Sequence, residues 1–233
     1  YNGLENIKWY PDLFKDGDDV VIQLKLHGTN ARMGCLKTEV KTPWQKFLKF
    51  FKLLPEHHFR YGSNNVDISA KQGNKSGFYG TDIYGEAFKR CKVKEKIQPN
   101  ELIFGEIIGE GIQAGYHYGH KLPNFVLFDV KIFNEDGTWY WLSPEEVQEY
   151  AKRRGFEMVP VLFDGEYSKT VLDSLVSGAD PYYPQHKVRE GIVIKMKGEE
   201  YNNPSCSSSK KALKNGSVLY GTVNIIFAYL NST

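Results

Sequence analysis

The sequence predicts an α+β fold in one compact domain, because strand-like segments dominate and only a few helices lie between them. The chain has 233 residues, and the hydrophobic share of 41% is enough to bury a core of ordinary size. No apolar run in the sequence approaches the roughly 20 residues that cross a bilayer, and no charged and apolar leader opens it. We therefore expect a cytoplasmic protein with no membrane partner.

Three segments carry helix signals. Thr42-Pro43-Trp44-Gln45 combines a capping box with proline at the first helical position, and apolar residues then recur at helical spacing as far as Leu54-Pro55. We expect this helix to pack its apolar face on a sheet and to leave its lysines in water, with an RNA-backbone contact or membrane attachment as the alternatives. Ser143-Pro144-Glu145-Glu146 predicts a second helix that ends near Gly155, and residues 168–177 predict a third.

Charged residues accompany the apolar strands of the sequence. Taken singly, each such combination is common, because a half-buried strand is often flanked by charges. The ordered set is more informative than any member of it. In chain order the segments are Asp19 to Leu24 followed by Lys25, Leu102 to Ile107 with Glu106, Phe125 to Val130, and Glu190 to Lys195, and the lysine cluster Lys210-Lys211-Ala212-Leu213-Lys214 comes after them.

Lys25 is the strongest candidate for a nucleophile in the chain. It follows a strand and opens the polar stretch Lys25-Leu26-His27-Gly28-Thr29-Asn30. A lysine amine attacks only in its neutral form, and burial or nearby positive charge favours that form. A function that uses this lysine therefore requires further basic residues nearby, and the later segments contain them.

With these motifs in this order, the chain resembles the covalent nucleotidyltransferase superfamily and, within it, the ATP-dependent RNA ligases of type 2. The similarity extends from about Val20 to Lys214, and its most specific element is Lys-x-His-Gly-Thr-Asn, where DNA ligases and capping enzymes usually have Lys-x-Asp-Gly. The remaining matches are Arg60 to Asn65 as motif Ia, the Gly105-Glu106 strand as motif III, the Phe125 strand as motif IIIa, Glu190 to Lys195 as motif IV, and Lys214 as motif V.

The resemblance implies an enzyme that joins RNA 3′-hydroxyl and 5′-phosphate ends. The amine of Lys25 attacks the α-phosphorus of ATP to form lysyl-AMP, AMP then passes to an RNA 5′-phosphate, and a 3′-hydroxyl displaces it. Such transfer depends mostly on positioning and charge neutralisation. The family pattern accordingly makes Lys25, Lys195 and Lys214 catalytic, with the last two against the α-phosphate, and makes Glu190 a ligand of Mg²⁺ or Mn²⁺.

The same pattern supplies candidates for nucleotide binding. Glu106 is expected to accept hydrogen bonds from the ribose hydroxyls, and Phe125 to stack on adenine. His27 and Asn30 occupy positions of the lysine motif. Arg60 occupies the arginine position of motif Ia, and we expect it to matter more for sealing than for charging the lysine.

Two positions depart from the family pattern. Leu24 stands where relatives often have glutamate, so its backbone is the expected contact with adenine. Gly216 stands where many relatives have a second basic residue of motif V, and Lys210 and Lys211 are the candidate replacements. The polar segment 202–209 before them predicts a loop.

The fold that the resemblance implies is a nucleotidyltransferase (ATP-grasp-like ligase) domain of two antiparallel sheets with flanking helices and the nucleotide in a groove between them. This domain is expected to occupy residues 1–233, with no separate oligonucleotide-binding or C-terminal domain evident. ATP is expected to rest on lysine side chains, because the sequence has no Walker-type phosphate loop. The expected partner is RNA or an RNA-containing duplex, joined at nicks during RNA repair, although a net charge of +2 does not itself prove nucleic-acid binding.

Two other interpretations stay open. One is another covalent nucleotidyltransferase, either a DNA ligase or a capping-type guanylyltransferase, and His27 argues against it. The other is a nucleotide-binding or RNA-binding relative without catalysis, for which the unusual motif V is the hint.

Two further features are interpreted as structural. The cysteines Cys35, Cys91 and Cys206 are odd in number and widely spaced, which is typical of free thiols in a reducing compartment. The loop Tyr116-His117-Tyr118-Gly119-His120 contains two histidines but no third metal ligand close by in the sequence. We therefore expect polar loop residues there rather than a metal site.

Overall fold

The computed structural model of the protein describes residues 5–7, 12–63, 66–69, 80–197 and 225–228. These residues form ten strands and five helices. The strands are β1 (Glu5–Asn6), β2 (Asp19–Lys25), β3 (Thr29–Lys37), β4 (His57–Gly62), β5 (Glu101–Ile108), β6 (Asn124–Phe133), β7 (Trp139–Trp141), β8 (Val161–Glu166), β9 (Gly191–Met196) and β10 (Ile225–Ala228). The helices are α1 (Pro43–Phe50), α2 (Ile83–Arg90), α3 (Val93–Lys96), α4 (Pro144–Arg154) and α5 (Lys169–Val176).

The strands are arranged in two five-stranded sheets, which confirms the predicted α+β fold with two antiparallel sheets. The first sheet has the order β1-β10-β9-β2-β8, and the second sheet has the order β4-β3-β5-β6-β7. Their pairings are antiparallel except at one edge of the first sheet, where the two-residue strand β1 runs parallel to β10.

The second sheet separates a helical layer from the first sheet. Because side chains alternate between the two faces of a strand, Ala31 and Met33 of β3 enter a core with α2, α3 and α4. Asn30 and Arg32, at the alternate positions of the same strand, lie on the opposite face. Val126, which belongs to the same cross-strand row as Asn30, packs in a cluster that includes Leu24 of the first sheet. The face that carries Asn30 therefore looks towards the first sheet. The space between this face and the end of β2 that carries Lys25 is called the groove.

Two smaller clusters complete the interior. One lies on the first sheet, where α5 packs Leu172 over Ile22 of β2 and Ile194 of β9. The other joins the two sheets at the base of the groove, and its buried members are Leu24, Leu26, Ile108, Tyr118, Val126 and Val159. The end of β2 that carries Lys25 is thus held between both sheets.

The second and third predicted helices are confirmed. Helix α4 begins after a capping box formed by Ser143 and Glu146 and ends at Gly155, which has the left-handed φ of 66° that favours glycine. Helix α5 begins after Ser168, whose side chain accepts a hydrogen bond from the Val171 amide. Both helices cover a sheet, as the sequence predicts.

Helix α1 is correctly predicted to exist, but it ends at Phe50 rather than at Leu54, and it is wrongly predicted to pack on the sheet. Thr42 and Gln45 form the expected capping box, yet no residue of the helix is buried by the described part of the chain. Trp44 remains 65% exposed, and its ring stacks on that of Phe47 at 5.3 Å, with Phe51 in turn 4.7 Å from Phe47. Local caps and ring contacts within this one segment therefore hold the helix, rather than packing against a sheet.

Several predicted residues lie outside the described ranges. They are Asn64 and Asn65 of motif Ia, the loop 202–209 with Cys206, and Lys210, Lys211, Lys214 and Gly216 around motif V. Within the described ranges, none of the helices has both the length and the apolar character needed to cross a bilayer.

Candidate active site

The site is centred on Lys25, the last residue of β2. Antiparallel pairing places Lys25 opposite Gly191, the first residue of β9, so the preceding residue, Glu190, comes next to the lysine. The Lys25 Nζ donates a hydrogen bond to Glu190 Oε1, and His27 Nδ1 lies 3.1 Å from the same oxygen. The side chains of Lys25 and Glu190 are 22% and 17% exposed, so both are largely shielded and yet reachable from the groove.

The second carboxylate oxygen of Glu190 is available for a ligand. Glu190 Oε2 is buried and has no hydrogen-bond partner among the described residues. A buried polar atom without a partner is costly and calls for an explanation. A hard cation held by one carboxylate, with substrate phosphates supplying further oxygens, fits this atom.

Glu106 of β5 brings a second carboxyl group to the groove. Burial raises its pKa from 4.5 to about 8, and the nearby charge of Glu190 adds to the rise, whereas the charge of Lys25 and a hydrogen bond from the Gly28 amide act in the opposite direction. At neutral pH the group therefore holds its proton in most molecules. A protonated carboxyl both donates and accepts hydrogen bonds, as recognition of hydroxyl groups requires.

Asn30 stands directly across from Glu106 on the adjacent strand. Its side-chain oxygen is buried and has no hydrogen-bond partner in the described part of the protein. Two neighbouring polar side chains thus face the groove, and one of them has an unused acceptor. This pair is suited to a ligand that carries hydroxyl or amino groups.

The turn between β2 and β3 fits closely against β5. A Cβ atom added at Gly28 would lie 2.3 Å from the carbonyl oxygen of Ile107 and 2.8 Å from Cγ of Glu106. Glycine is therefore required here so that the backbone can approach the neighbouring strand. A side chain at position 28 would push the turn away from β5.

Lys195 does not join the Lys25 group in this structure. It pairs with Val21 on the adjacent strand, four residues from Lys25, which corresponds to about 13 Å along β2. Its Nζ donates hydrogen bonds to Asp129 Oδ1 at 2.6 Å and to the Phe128 carbonyl at 2.7 Å. Instead of facing an open phosphate site, this lysine ties the first sheet to the second.

Phe125 is placed away from the groove, contrary to the expectation that it stacks on adenine. It is 1% exposed and belongs to the core between the second sheet and the helices, where its ring lies 6.3 Å from that of Phe156. The alternation of side chains along β6 explains the difference, because Phe125 and Val126 point to opposite faces. Phe128 of the same strand packs in the cluster at the base of the groove, with its ring 6.0 Å from the Lys195 Nζ.

The remaining predicted residues occupy distinct places. Arg60 of β4 lies on the groove face, opposite Gly34, and its guanidinium is 3.4 Å from Asp67 Oδ2. Leu24 is 1% exposed, and its amide donates a hydrogen bond to the Pro160 carbonyl at 2.8 Å. Arg60 is thus set along the groove wall, whereas the Leu24 side chain is part of the interior.

Three residues of the site are absent from the predicted set. Asp129 is the partner of Lys195, and Gln113 and Tyr118 of the β5–β6 loop hydrogen-bond the backbone of the turn after Lys25. The loop does carry a signal in the sequence, because four glycines between residues 109 and 119 accompany its aromatic residues. The two loop histidines have the polar contacts expected of loop residues, with His117 Nδ1 accepting from the Gly119 amide and His120 Nε2 lying 3.3 Å from the Tyr182 hydroxyl.

Solved structures of one protein, the RNA ligase of Naegleria gruberi, resemble this fold. A variant with ATP and Mn matches with a TM-score of 0.58 and 20% identity, covering 84% of this chain and 52% of that one. A variant with AMP and Mn matches with a TM-score of 0.61 and 20% identity, over 84% and 52%. The form with PPi gives a TM-score of 0.59 and 20% identity, over 92% and 58%. The chain thus spans little more than half the length of these proteins and shares their fold.

Comparison of the sequence with families and with curated proteins gives one positive result. No curated protein matches significantly. The sequence profile of the family described as RNA ligase, in contrast, matches residues 18–214, a range that includes Lys25, Glu106, Glu190 and Lys214. Since this match covers most of its length, the chain belongs to the RNA ligase family.

Proposed function

We propose that the protein is an ATP-dependent RNA ligase that joins 3′-hydroxyl and 5′-phosphate ends through lysyl-AMP and RNA-adenylate intermediates. The observation that carries the proposal is the contact of Lys25 with Glu190 at the end of β2, beside the partly buried carboxyl of Glu106, whose pKa is raised. Because the chain belongs to the RNA ligase family, we interpret Lys25 as the nucleophile and Glu190 as a metal ligand. The Naegleria gruberi ligase was solved with ATP, AMP and PPi, which are the substrate and products of such a reaction.

In the first proposed step, Lys25 Nζ attacks the α-phosphorus of ATP. A nitrogen–phosphorus bond forms, the bond from phosphorus to the pyrophosphate oxygen breaks, and pyrophosphate leaves. The ammonium must first give up a proton to solvent, and the contact with Glu190 Oε1 holds the amine in place. An RNA 5′-phosphate then displaces the lysine from the AMP phosphorus, and finally a 3′-hydroxyl displaces AMP from the RNA 5′-phosphate.

Glu190 is the proposed ligand of a divalent cation, Mg²⁺ or Mn²⁺. Its buried second oxygen, without a partner among the described residues, fits this role, and the Naegleria gruberi ligase was solved with Mn. A bound cation of this kind offsets negative charge on the phosphates during transfer. Lys214 is the proposed second positive group, whereas Lys195 can reach a phosphate only after leaving Asp129.

For nucleotide recognition we propose Glu106, Asn30 and His27. The first two present adjacent polar groups for the ribose hydroxyls, and His27 lies beside the attacking amine through their shared contact with Glu190. Phe128, which packs at the base of the groove, replaces Phe125 as the proposed aromatic contact of adenine.

The proposed substrate is a nicked duplex with RNA on the 3′-hydroxyl side, and the proposed role is RNA repair in the cytoplasm. A template strand aligns the two ends and thereby converts a rare encounter into a near-attack geometry. Arg60, on the groove wall, is suited to hold a strand phosphate through its planar guanidinium. The chain is proposed to act as one nucleotidyltransferase domain.

The proposal is tested by incubating the protein with ATP labelled at the α-phosphate and Mg²⁺, followed by a denaturing gel. We expect a covalent AMP adduct that Lys25→Ala abolishes, because alanine has no nucleophile. Lys25→Arg should abolish it as well, because a guanidinium stays charged at working pH. Lys169→Ala, which alters a 79% exposed lysine of α5, is the control that should label normally. Undiminished labelling of Lys25→Ala would refute the proposal, and labelling by GTP in place of ATP would indicate a capping-type enzyme.

Substrate preference is tested with pre-adenylylated protein and three substrates. These are a nicked duplex with RNA ends, the same nick with DNA ends, and two untemplated single strands. We expect the RNA nick to be sealed fastest, and Arg60→Ala to slow sealing more than adduct formation. Faster joining of the untemplated strands, or indifference to a deoxynucleotide at the 3′ end, would contradict the proposed nick preference.

A further inference from the structure

The loop between β5 and β6, residues 109–123, maintains its own shape next to the proposed nucleophile. The Glu110 amide donates a hydrogen bond to the His120 carbonyl at 2.9 Å and so closes the neck of the loop. Within it, the Tyr116 amide bonds to the Gln113 carbonyl at 3.1 Å. A loop held in this way can present side chains in fixed positions.

Two side chains of this loop reach the turn that follows Lys25. The His27 amide donates a hydrogen bond to the Tyr118 hydroxyl at 2.8 Å, and Gln113 Nε2 donates one to the Gly28 carbonyl at 3.0 Å. Both backbone groups lie between the end of β2 and the start of β3, outside the ladders of either sheet. Backbone groups in a protein interior need hydrogen-bond partners. The loop provides these partners for the His27 amide and the Gly28 carbonyl, which the sheets do not pair.

Tyr118 is held in an unusual conformation for this contact. Its φ is 51°, in the left-handed region that large side chains rarely adopt. The residue is 3% exposed and packs in the cluster with Leu24 and Leu26, and burial raises the pKa of its hydroxyl, which therefore stays protonated. Strained residues that the surrounding structure maintains are often found where a geometry has to be precise.

The turn is also restrained on its opposite side. Gly28 approaches β5 so closely that a Cβ atom would collide with the Ile107 carbonyl. On the loop side, the ring of Tyr116 meets the ring of His27 edge-on at 4.6 Å. The backbone between Lys25 and Thr29 is thus packed against β5 on one side and bonded to the loop on the other.

We infer that Gln113 and Tyr118 are positioning residues for transfer of AMP to Lys25, and that they act by fixing the turn Leu26-His27-Gly28. The inference rests on the proposed function of Lys25. The turn determines where the lysine amine and the His27 ring point, and a displacement of about 1 Å in such a site can cost on the order of 10²-fold in rate. Neither side chain has to touch the reacting atoms.

The test uses Tyr118→Phe and Gln113→Met in the full chain. The first keeps the ring and removes only the acceptor of the His27 amide, and the second keeps side-chain length and removes the donor to Gly28. Tyr150→Phe is the matched control, because its buried hydroxyl donates a hydrogen bond to Glu101 Oε2 at 2.7 Å in the core beneath α4, away from the loop and the turn. We measure single-turnover formation of lysyl-AMP across ATP concentrations, the melting temperature, and sealing of a preformed RNA-adenylate, a step that does not need the lysine as nucleophile.

We expect both variants to lower the maximal rate of lysyl-AMP formation by about 10-fold to 100-fold. The maximal rate should change more than the ATP concentration at half-maximal rate, and the melting temperature should fall by only a few degrees, because each variant leaves one backbone group without its partner. Sealing of RNA-adenylate should fall much less than lysyl-AMP formation. Tyr150→Phe should form lysyl-AMP at the wild-type rate.

Three results would overturn the inference. If wild-type protein labels Lys25 and both variants label at the same rate, the positioning role is refuted while the proposed function stands. If the rate falls only in proportion to the folded fraction, the contacts are merely structural. If wild-type protein forms no adduct, the proposed function fails and the inference fails with it.

Discussion

The buried ion pair between Lys195 and Asp129 allows a structural role to be separated from a catalytic one. We predict that Asp129→Asn destabilises the protein markedly, because it leaves a lysine ammonium in the interior without its counterion. The two side chains are 3% and 6% exposed, and the Lys195 Nζ lies 2.6 Å from Asp129 Oδ1. The pair connects β9 of the first sheet with β6 of the second.

The magnitude follows from this distance and burial. At an effective dielectric constant of about 20, two charges 2.6 Å apart attract by about 6 kcal/mol. Desolvation of both ions cancels much of this attraction, and removing one partner of a buried pair typically costs about 3–5 kcal/mol. We expect the lower end, about 3 kcal/mol, because an asparagine oxygen still accepts a hydrogen bond. For a chain of this size the melting temperature should then fall by roughly 6–12 °C.

Urea and thermal unfolding of five proteins provide the measurement: the wild type, Asp129→Asn, Asp129→Leu, Lys195→Met, and Lys195→Met combined with Asp129→Leu. The double variant should lose at least about 1 kcal/mol less than the sum of its single counterparts, because it leaves no unpaired charge. Lys169→Met, which breaks an exposed pair with Asp173, should change stability by less than about 1 kcal/mol. If Asp129→Asn melts within about 2 °C of the wild type while Lys195→Met stops lysyl-AMP formation, the ion pair is unimportant and Lys195 acts at the phosphate.

The other predictions concern Glu106, Gly28 and motif V. The pKa of Glu106 is raised in the folded protein from 4.5 to about 8. Its contribution to stability is therefore complete below about pH 4.5 and is lost as the pH rises through about 8. Urea unfolding at several pH values should show this loss in the wild type and not in Glu106→Gln. Gly28→Ala would place a methyl group 2.3 Å from the Ile107 carbonyl, so we expect lysyl-AMP formation to fall by at least about 10²-fold, and near-normal labelling would show that the turn can move. Lys214→Ala should lower the rate of lysyl-AMP formation by at least about 10²-fold. If instead Lys211→Ala is inactive and Lys214→Ala is normal, the motif V lysine is Lys211, three residues earlier.

Much of the fold could be predicted because the relevant signals are local. Capping residues, proline at the first helical position and glycine at the helix end define α4 within its own segment. The strands around Lys25 and Glu106 are short apolar runs with polar ends. Packing is a different matter, because the amphipathic pattern of α1 indicates an apolar face but not whether any surface lies opposite it.

The site was less predictable because it depends on which face of a strand meets the groove. Along β6, Phe125, Val126 and Leu127 are all buried, so the sequence of this strand does not distinguish the helical side from the groove side. An irregularity in the pairing of β5 and β6 between Phe104 and Gly105 further shifts the alternation. The sequence motifs indicate Lys25 as the nucleophile and Glu190 as a metal ligand, but they contain neither the contact between these two residues nor the bond of Lys195 to Asp129, 66 residues away in the chain.

The pairing of β2 with β9 has a consequence for how the protein folds. Lys25 and Glu190 are 165 residues apart in the chain, and closing a loop of that length costs on the order of 4–5 kcal/mol of chain entropy. Both neighbours of β2, namely β8 and β9, are made long after it during synthesis. Until they arrive, the apolar residues Val20 to Leu24 belong to a strand with two open edges, a state that favours aggregation. Partial chains that stop before β9 should therefore be poorly soluble, and the environment of Lys25 is completed only in a late stage of folding.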